Sequence, residues 1–579
     1  MHDNIADLAL MARLLWKIIP SDDALAQHLS TALDIPVLFG HLLQQRGIAS
    51  AEAAKTFFKP SLEALHDPFL MKDMDIAVER LDRALKQGER ILIYGDYDVD
   101  GTTSVAFMYA FLSRYYRNLD YYLPDRDKEG YGVSLEGVEY ARANGISLML
   151  SVDCGIKSHA AIEQAKAYGI DFIVCDHHQP EGGLPDALAN VDPLRPDCPY
   201  PFKGLSGCGI AFKLAQALTI RNQTPVEELL DLLDLVAVST ACDIVPITGE
   251  NRIITHFGLQ KINHSPRIGL WALIQQMNRP GPIKVSDLVF GIGPMINSAG
   301  RLGDARDAVR LLLSADRNSA QEKARQLASR NRERRIVDQQ AATEAREMVE
   351  ASGEVTDRHS IVLYKPEWHK GIIGITASRI SEQYFRPTVI LTLSNDRAVG
   401  SARSAGGFDL YKALLACEDL FYSFGGHAQA AGMQMPPENV PIFRERFEQI
   451  VREHLQETIL QEELELNAAL RLEDINGNLM HHLRRFEPFG PGNRSPVFYA
   501  RGLVDTGRSR ALQDNHVRLS LRHQDGTKTM NGIAFGLADR FEALKAGVFD
   551  IAFSIREEIW QGQRTMSIQV KDIIPAGSC

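Results

Sequence analysis

The sequence predicts an α/β protein: two α/β units joined by one long helix and followed by a small β-barrel. Three observations carry this. Short apolar strand-like runs alternate with helical segments from about residue 77 and again from about residue 360; repeated β-α-β of this kind builds a sheet with helices on its faces. Residues 318–352 contain neither Gly nor Pro and are rich in Ala, Glu, Arg and Gln, which predicts a single helix about 50 Å long at about 1.5 Å per residue. After about residue 466 the strands become short and are separated by turn residues, the signature of a small barrel.

Taken in order, residues 1–76 read as helices with short breaks. Gly47 ends one helix, Ser50 caps the next, and Pro60 and Pro68 punctuate the remainder of the segment. No chemistry is visible there, so the segment reads as a structural cap on the next domain. The first α/β unit then offers strands at 91–94, 120–123, 148–152 and 172–175, each a β-branched or apolar run. Helices fall between them at 104–116, 135–144 and 158–168. Ligands of such sheets bind beyond the carboxyl ends of the strands. Asp96, Asp98 and Asp100 follow the first strand at alternate positions, Asp153 follows the third, and Asp176, His177 and His178 follow the fourth. A single Asp after a strand is ordinarily a turn former or helix cap. Three strands delivering acids and imidazoles to one edge instead point to a cation that relieves their repulsion. Asp243, after the helical run 227–240, is either a polar residue at a helix C-terminus or the group that completes that site.

Further along, 291–305 carries four glycines and a proline around Asn297 and Arg301 and reads as an irregular loop able to touch phosphate. Arg325, Arg330, Arg332, Arg334 and Arg335 crowd the first half of the long helix, either as a solvated face or as one wall of a nucleic-acid groove. The second α/β unit contains His369 in W-H-K-G, Ser401 and Arg403 in G-S-A-R-S, and Gly425, Gly426 and His427 in G-G-H. Glycines beside basic groups permit close approach to a phosphate chain. The barrel, entered through F-E-P-F-G-P-G-N, concentrates Arg501, Arg508, Arg510, Arg518, Arg522, His523 and Lys528 near Phe498 and Tyr499; cations with aromatics on a small barrel suit single-stranded nucleic acid.

The totals bound the rest. The 579 residues call for several domains. A net charge of −11 excludes a global pull toward nucleic acid, so binding must use local basic patches. The seven cysteines form no C-x-x-C pair, which predicts reduced, cytoplasmic protein without a disulfide framework or zinc ribbon. No leader pattern and no membrane-length apolar run is present.

The ordered set G-D-Y-D-V-D-G, V-D-C-G, D-H-H and A-C-D-I-V-P resembles the four motifs of the DHH phosphoesterase superfamily. The resemblance extends through I-N-S-A-G-R-L-G-D-A, W-H-K-G-I-I-G-I and the barrel entry, with Arg494 where proline is expected. It implies a DHH catalytic domain over 77–305, a connecting helix over 306–354, a DHH-associated substrate-binding domain over 355–465 and an OB-fold nucleic-acid-binding domain over 466–579, behind the helical cap. It also implies two Mn²⁺ or Mg²⁺ ions. Asp98 would serve one, with Asp96 as an extra ligand; Asp153 would bridge; Asp100, His177 and Asp243 would serve the other. His178 would face the substrate phosphate, and Arg126, Asn297, Arg301, His369, Ser401, Arg403, Gly425, Gly426 and His427 would bind the strand. Within the superfamily the chain is most similar to the single-strand-specific 5′→3′ DNA exonucleases, which release mononucleotides in DNA repair and recombination. Single-stranded-DNA-binding protein and repair helicases are the candidate partners, and a monomer without membrane contact is expected. The competing expectations are a DHH phosphodiesterase for short oligonucleotides or cyclic dinucleotides, and a strand-binding relative that has lost catalysis. The long C-terminal part argues against the first, and the filled ligand positions against the second.

Overall fold

The structure is a computed structural model and describes residues 14–126, 128–180, 182–352, 358–455, 462–560 and 563–577. The first α/β unit is a five-stranded parallel sheet of β1 (Ile91–Gly95), β2 (Leu119–Tyr122), β3 (Leu148–Val152), β4 (Asp171–Cys175) and β5 (Ala189–Val191), in the order β2-β1-β3-β4-β5. Successive side chains alternate between two cores. Ile91, Ile93, Leu148 and Leu150 enter one, and Leu92, Tyr94, Met149 and Val174 the other. Burial on both faces is why these strands read as unbroken apolar runs. Sequence reasoning missed β5, whose three residues are too short a run to stand out.

The register positions the site. Gly95 lies opposite Val152, Val152 opposite Cys175, and Cys175 opposite Val191. The next residues along these strands, Asp96, Asp153, Asp176 and Asp192, therefore form one row at the carboxyl edge. Three buried helices close over that edge: α1 (Val99–Leu112), α2 (Gly207–Asn222) and α3 (Leu233–Cys242). The stretch expected as an irregular loop is helical, a π-type turn at Leu288–Ile292 running into α4 (Gly293–Leu302). Pro294 sits in the first turn, where no backbone N–H is missed. Gly293 serves packing, since a Cβ there would lie 2.7 Å from Cys242 Sγ.

The long helix is α5 (Arg317–Ser352). Its Ala320, Ala324 and Leu327 belong to the core of the first unit, and its Ala341, Ala345 and Val349 to that of the second, so it is packed at both ends rather than spanning solvent. The second sheet is mixed: β6 (Ile361–Tyr364), β7 (Thr388–Ser394), β8 (Arg397–Arg403), β9 (Ser423–Gly426) and β10 (Ala430–Met435), in the order β9-β10-β8-β7-β6. Only β6 and β7 run parallel. Asn395 and Asp396, both at positive φ, turn β7 back into β8 as a tight hairpin.

The barrel closes on itself through β11 (Phe498–Asp505), β12 (Val517–His523), β13 (Met530–Ala534), β14 (Phe549–Trp560) and β15 (Gln563–Pro575), paired in the cycle β11-β14-β15-β13-β12. The N-terminal helices correct one expectation. Leu29, Phe39, Leu42, Leu43 and Ala54 share a core with Phe486, Leu472 and Leu519 of the C-terminal domain, and the strand Leu15–Ile18 pairs in parallel with Glu463–Leu466. The helices over 23–58 therefore pack on the barrel at the far end of the chain, a closure that apolar patterning within the segment does not specify, whereas Leu62, Leu65, Met71 and Met74 do pack on the first α/β unit as expected of a cap. Among the described residues no helix is long and apolar enough to cross a membrane.

Candidate metal centre and anion cavity

The row of strand-end acids meets the loops and helix ends above it in one buried cluster. Asp96, Asp100, Asp153, Asp176 and Asp192 are all almost inaccessible. His177 Nε2 lies 3.1 Å from Asp153 Oδ1, 3.6 Å from Asp243 Oδ2 and 3.8 Å from Asp100 Oδ2. Two sets of ligand atoms converge to within 4.8 Å of one another, Asp100–His177–Asp243 and Asp153–His177–His178. Asp96 and Asp98 adjoin these sets without belonging to them, and Asp98 also caps α1 by accepting from Gly101 N at 3.0 Å.

Local sequence explains the arrangement. Asp100 accepts from Gly207 N at 2.7 Å and Cys208 N at 2.9 Å, so the positive end of α2 aims at its carboxylate. Ser239 of α3 adds a third bond at 2.6 Å. Gly207 is required by space, because a Cβ there would fall 2.4 Å from Asp153 Cβ. Asp153 itself sits at φ 66°, a strained conformation that turns its carboxylate into the cluster. His178 is half-exposed; Asp176 Oδ1 holds its Nδ1 at 2.7 Å, and Tyr131 Oη lies 3.0 Å from its Nε2. Asp176 also accepts from Ile156 N and His177 N. Those bonds hold its carboxyl down at about 2 despite burial, chiefly through His178.

The residues fit a divalent cation. Asp96 Oδ1, His177 Nε2 and Asp243 Oδ2 are buried without a hydrogen-bond partner, which is costly unless a cation satisfies them. Carboxylates that outnumber the imidazoles, with no thiolate, favour Mn²⁺ over zinc, and Mg²⁺ would draw on the carboxylate oxygens. The electrostatics agree. Burial first, and like-charge repulsion second, hold Asp96, Asp153 and Asp243 well above the usual carboxylate range and Asp98 above it. Burial opposes charge on His177 too, but the Asp243 and Asp100 carboxylates outweigh it and raise its pKa.

These directions fix a pH dependence. A group whose pKa is higher in the folded than in the unfolded chain supports folding at low pH and loses that support as pH rises through its folded value. In the metal-free protein the contribution of Asp96, Asp98, Asp153 and Asp243 to stability should therefore fall as pH climbs above the ordinary carboxylate value of about 4. Mn²⁺ should raise the melting temperature more at about pH 8 than at about pH 5.5, because protons no longer compete. Thermal melts in chelator and in Mn²⁺ at both pH values check this; an equal gain at both would contradict it.

A second feature lies between the two α/β units, a cavity of ≈ 750 Å³ lined by Arg126, Arg301, Lys370, Arg397, Ser401 and Arg403. Among the described residues no carboxylate lines it. Arg126 stands over the ring of Tyr97, which lies between Asp96 and Asp98 in the chain, with 5.4 Å between guanidinium and ring centre, so the cavity abuts the metal cluster. Burial, reinforced by Arg126, Arg334 and Arg403, pushes Arg301 down to about 10. Arg403 is lowered by burial and held by Ser378 and Ser401 hydroxyls, both at 3.0 Å. Crowded cations of this kind call for an anion.

The expected strand-binding residues divide. Arg126, Arg301, Ser401 and Arg403 meet in the cavity, and His369 joins Arg126 and Arg301 in the adjoining cavity of ≈ 540 Å³. Asn297 lies on α4 and lines neither. Gly425, Gly426 and His427 are exposed on the β9–β10 hairpin, also outside both. In the barrel, Phe498 and His523 are buried, and Lys528 is spent on the carbonyls of Glu473 and Ile475. Arg508, Arg510 and Arg518 remain exposed, with Arg510 directly opposite Arg518. Sequence reasoning missed Asp192, Tyr131, Lys370 and Arg397. Asp192 repeats the strand-end pattern in A-N-V-D-P, and burial raises it to about 7. Lys370 stood beside His369 in the motif already quoted, whereas nothing local marked Tyr131 or Arg397.

Comparison with known proteins adds to this geometry. Family models described as the DHH family N-terminal domain, the DHHA1 domain and the RecJ OB domain match residues 90–240, 357–453 and 466–572. The single-stranded-DNA-specific exonuclease RecJ of Bacillus subtilis (strain 168) is 35% identical over 568 residues, covering 97% of this chain and 71% of that protein. Among solved structures, RecJ from Thermus thermophilus in complex with Mn²⁺ superposes with a TM-score of 0.84 at 29% identity, covering 98% of this chain and 81% of that one. The same protein in complex with Mg²⁺ gives 0.77 at 28%, covering 97% and 78%.

Proposed function

This chain belongs to the RecJ family of single-stranded-DNA-specific exonucleases, and from that membership we propose that it hydrolyses single-stranded DNA from the 5′ end, releasing mononucleotides with Mn²⁺ or Mg²⁺ as cofactor. The observation that carries the reading is the juxtaposition of the acidic cluster with a cavity walled only by cations among its charged groups. A chain terminus carries a more highly charged phosphate than an internal diester. A cavity with five cationic side chains selects it and so measures the cut from the end.

Asp98, Asp100, Asp153, His177 and Asp243, with Asp96 beside them, would hold two ions. Bound there, such ions lower the pKa of a water for in-line attack and stabilise the leaving oxygen. The chain's own residues do the positioning. Arg126, Arg301 and Arg403 fix the terminal phosphate, Ser401 braces Arg403, and Tyr131 with Asp176 orients His178 toward the substrate phosphate. Digestion of end-labelled single strands of both polarities, in Mn²⁺, Mg²⁺ or chelator, tests the reading. Cleavage that begins at 3′ ends, or that survives chelator, would refute it.

The barrel supplies affinity for the rest of the strand. Arg510 and Arg518 face each other in register, an arrangement that is unfavourable without an anion between them. Replacing Arg508, Arg510 and Arg518 by Ala should weaken binding of long single strands and lower the slope of log affinity against log salt by about 2, at roughly 0.7 per lost phosphate contact. Cleavage of very short strands should not change. Binding titrations across a salt series check this; an unaltered slope would remove the barrel face from the strand's path. The setting we propose is DNA repair and recombination in the cytoplasm, as a monomer, alongside single-stranded-DNA-binding protein and repair helicases.

A further inference from the structure

The barrel-entry motif F-E-P-F-G-P-G-N is accounted for neither by chemistry nor by strand binding. Its position gives it a role. Asp243 differs from the other acids of the cluster. It stands at the C-terminal cap of α3 rather than at a strand end or a helix N-terminus, and a helix end has few bonds of its own to fix it. The next residue, Ile244, is β-branched, 67% exposed and at φ 63°, a conformation such a residue adopts only under constraint.

The turn that follows packs against the C-terminal domain. Ile247 N donates to Pro491 O at 2.7 Å. Gly490 packs on the Ile247 side chain so closely that a Cβ would lie 2.5 Å from Cγ1, and a Cβ at Gly492 would lie 3.1 Å from Pro246 Cβ. The helix after this turn (Gly249–His264) carries Arg252, whose guanidinium donates to the carbonyls of Arg485, Phe486 and Glu487 at 3.1, 2.9 and 2.9 Å. Asn251, one residue earlier, donates to Pro246 O at 3.0 Å. Asn493 closes the loop by donating to Phe486 O and Pro488 O, and Arg46 of the N-terminal helices bonds Asn493 Oδ1 at 2.6 Å.

We propose that the barrel-entry loop, residues 487–493, is a positioning element for the metal centre: by clasping the 244–248 turn it sets the direction of the Asp243 carboxylate. The inference rests on the reading of Asp243 as a metal ligand. It makes ion affinity a property of the assembled chain, because a loop of the C-terminal domain holds in place a ligand carried by the first. Groups that orient a ligand without touching the ion typically account for about 10- to 100-fold in metal affinity.

The test uses the full chain. In Gly490→Ala the new methyl presses on Ile247. Mn²⁺ affinity, measured without DNA by calorimetry and by the spin-resonance signal of free Mn²⁺, should fall by about 10-fold or more. Saturating Mn²⁺ should restore cleavage, and single-strand binding in chelator should stay unchanged. Adding Ile247→Ala, which removes the crowded Cγ1, should recover the affinity. Arg252→Lys, which keeps the charge but loses the fork, should show the same loss and serves if Gly490→Ala does not fold. Asp243→Asn is measured beside them. If it leaves Mn²⁺ binding intact, the ligand assignment fails and the clasp with it. If it weakens binding while folded Gly490→Ala and Arg252→Lys do not, the clasp alone is overturned. A parallel fall of Mn²⁺ affinity, strand binding and folded fraction would likewise overturn it, leaving the loop as a joint between domains.

Discussion

Asp153→Asn is expected to abolish hydrolysis of single-stranded DNA while leaving the chain folded. Asp153 is the residue on which the cluster converges: it is 3.1 Å from His177, is packed against Gly207, and feels the charge of Asp100, Asp98 and Asp243. Asn keeps the size of the side chain and tolerates the left-handed backbone at φ 66°, so what is lost is the anion. The fall in kcat should be on the order of 10⁴-fold or more, about 5.5 kcal/mol at 1.36 kcal/mol per decade. In chelator the melting temperature should hold or rise, since a buried like-charge repulsion has been removed. Single-turnover cleavage beside a thermal melt decides the matter; a folded Asp153→Asn protein cleaving at the wild-type rate would exclude Asp153 from the metal centre.

The second large effect is a difference between two substrates. Arg403→Ala should slow digestion of 5′-phosphorylated strands by roughly 10- to 150-fold, the equivalent of about 1.5–3 kcal/mol for one charged hydrogen-bonding partner. Strands with a 5′-hydroxyl should be affected far less. Arg403 lines the cavity with Arg126 and Arg301, and its bonds to Ser378 and Ser401 fix it in place. Arg403→Lys should recover part of the difference, since a point charge replaces a fork. Mn²⁺ affinity should be unchanged in both variants. Competition between the two substrates in one reaction reads the ratio directly, and an equal loss on both would show that Arg403 does not read the chain end.

The acids and imidazoles expected as ligands, and the sheet edge where they gather, were legible in the sequence, and the physical reason is local. A buried parallel strand writes itself as a short apolar run, the fold places ligands beyond its carboxyl end, and Asp96, Asp153 and the Asp176–His177–His178 tripeptide each lie just beyond such a run. The long helix was equally legible, because the absence of Gly and Pro over 36 residues leaves one outcome. The tertiary structure alone decided what depends on partners distant in sequence. The N-terminal helices are as apolar on one face as any cap, and nothing in them says that Phe39 packs beside Phe486. Arg126, Arg301 and Arg403, expected on the strand, are scattered along the chain, and it is the packing of the two α/β units that gathers them in one cavity and adds Lys370 and Arg397 to them. The 291–305 stretch has the composition of a loop, yet it is helical through Leu302, with Met277 and Cys242 filling the space beside Gly291 and Gly293. The direction of Asp243 is the least legible of all, since the Pro491 carbonyl and Gly490 that pack on its turn lie in another domain. Residue type and short spacing specify which groups can bind a cation or a phosphate; the distances that bring them together come from packing between segments far apart in the chain, which no local pattern encodes.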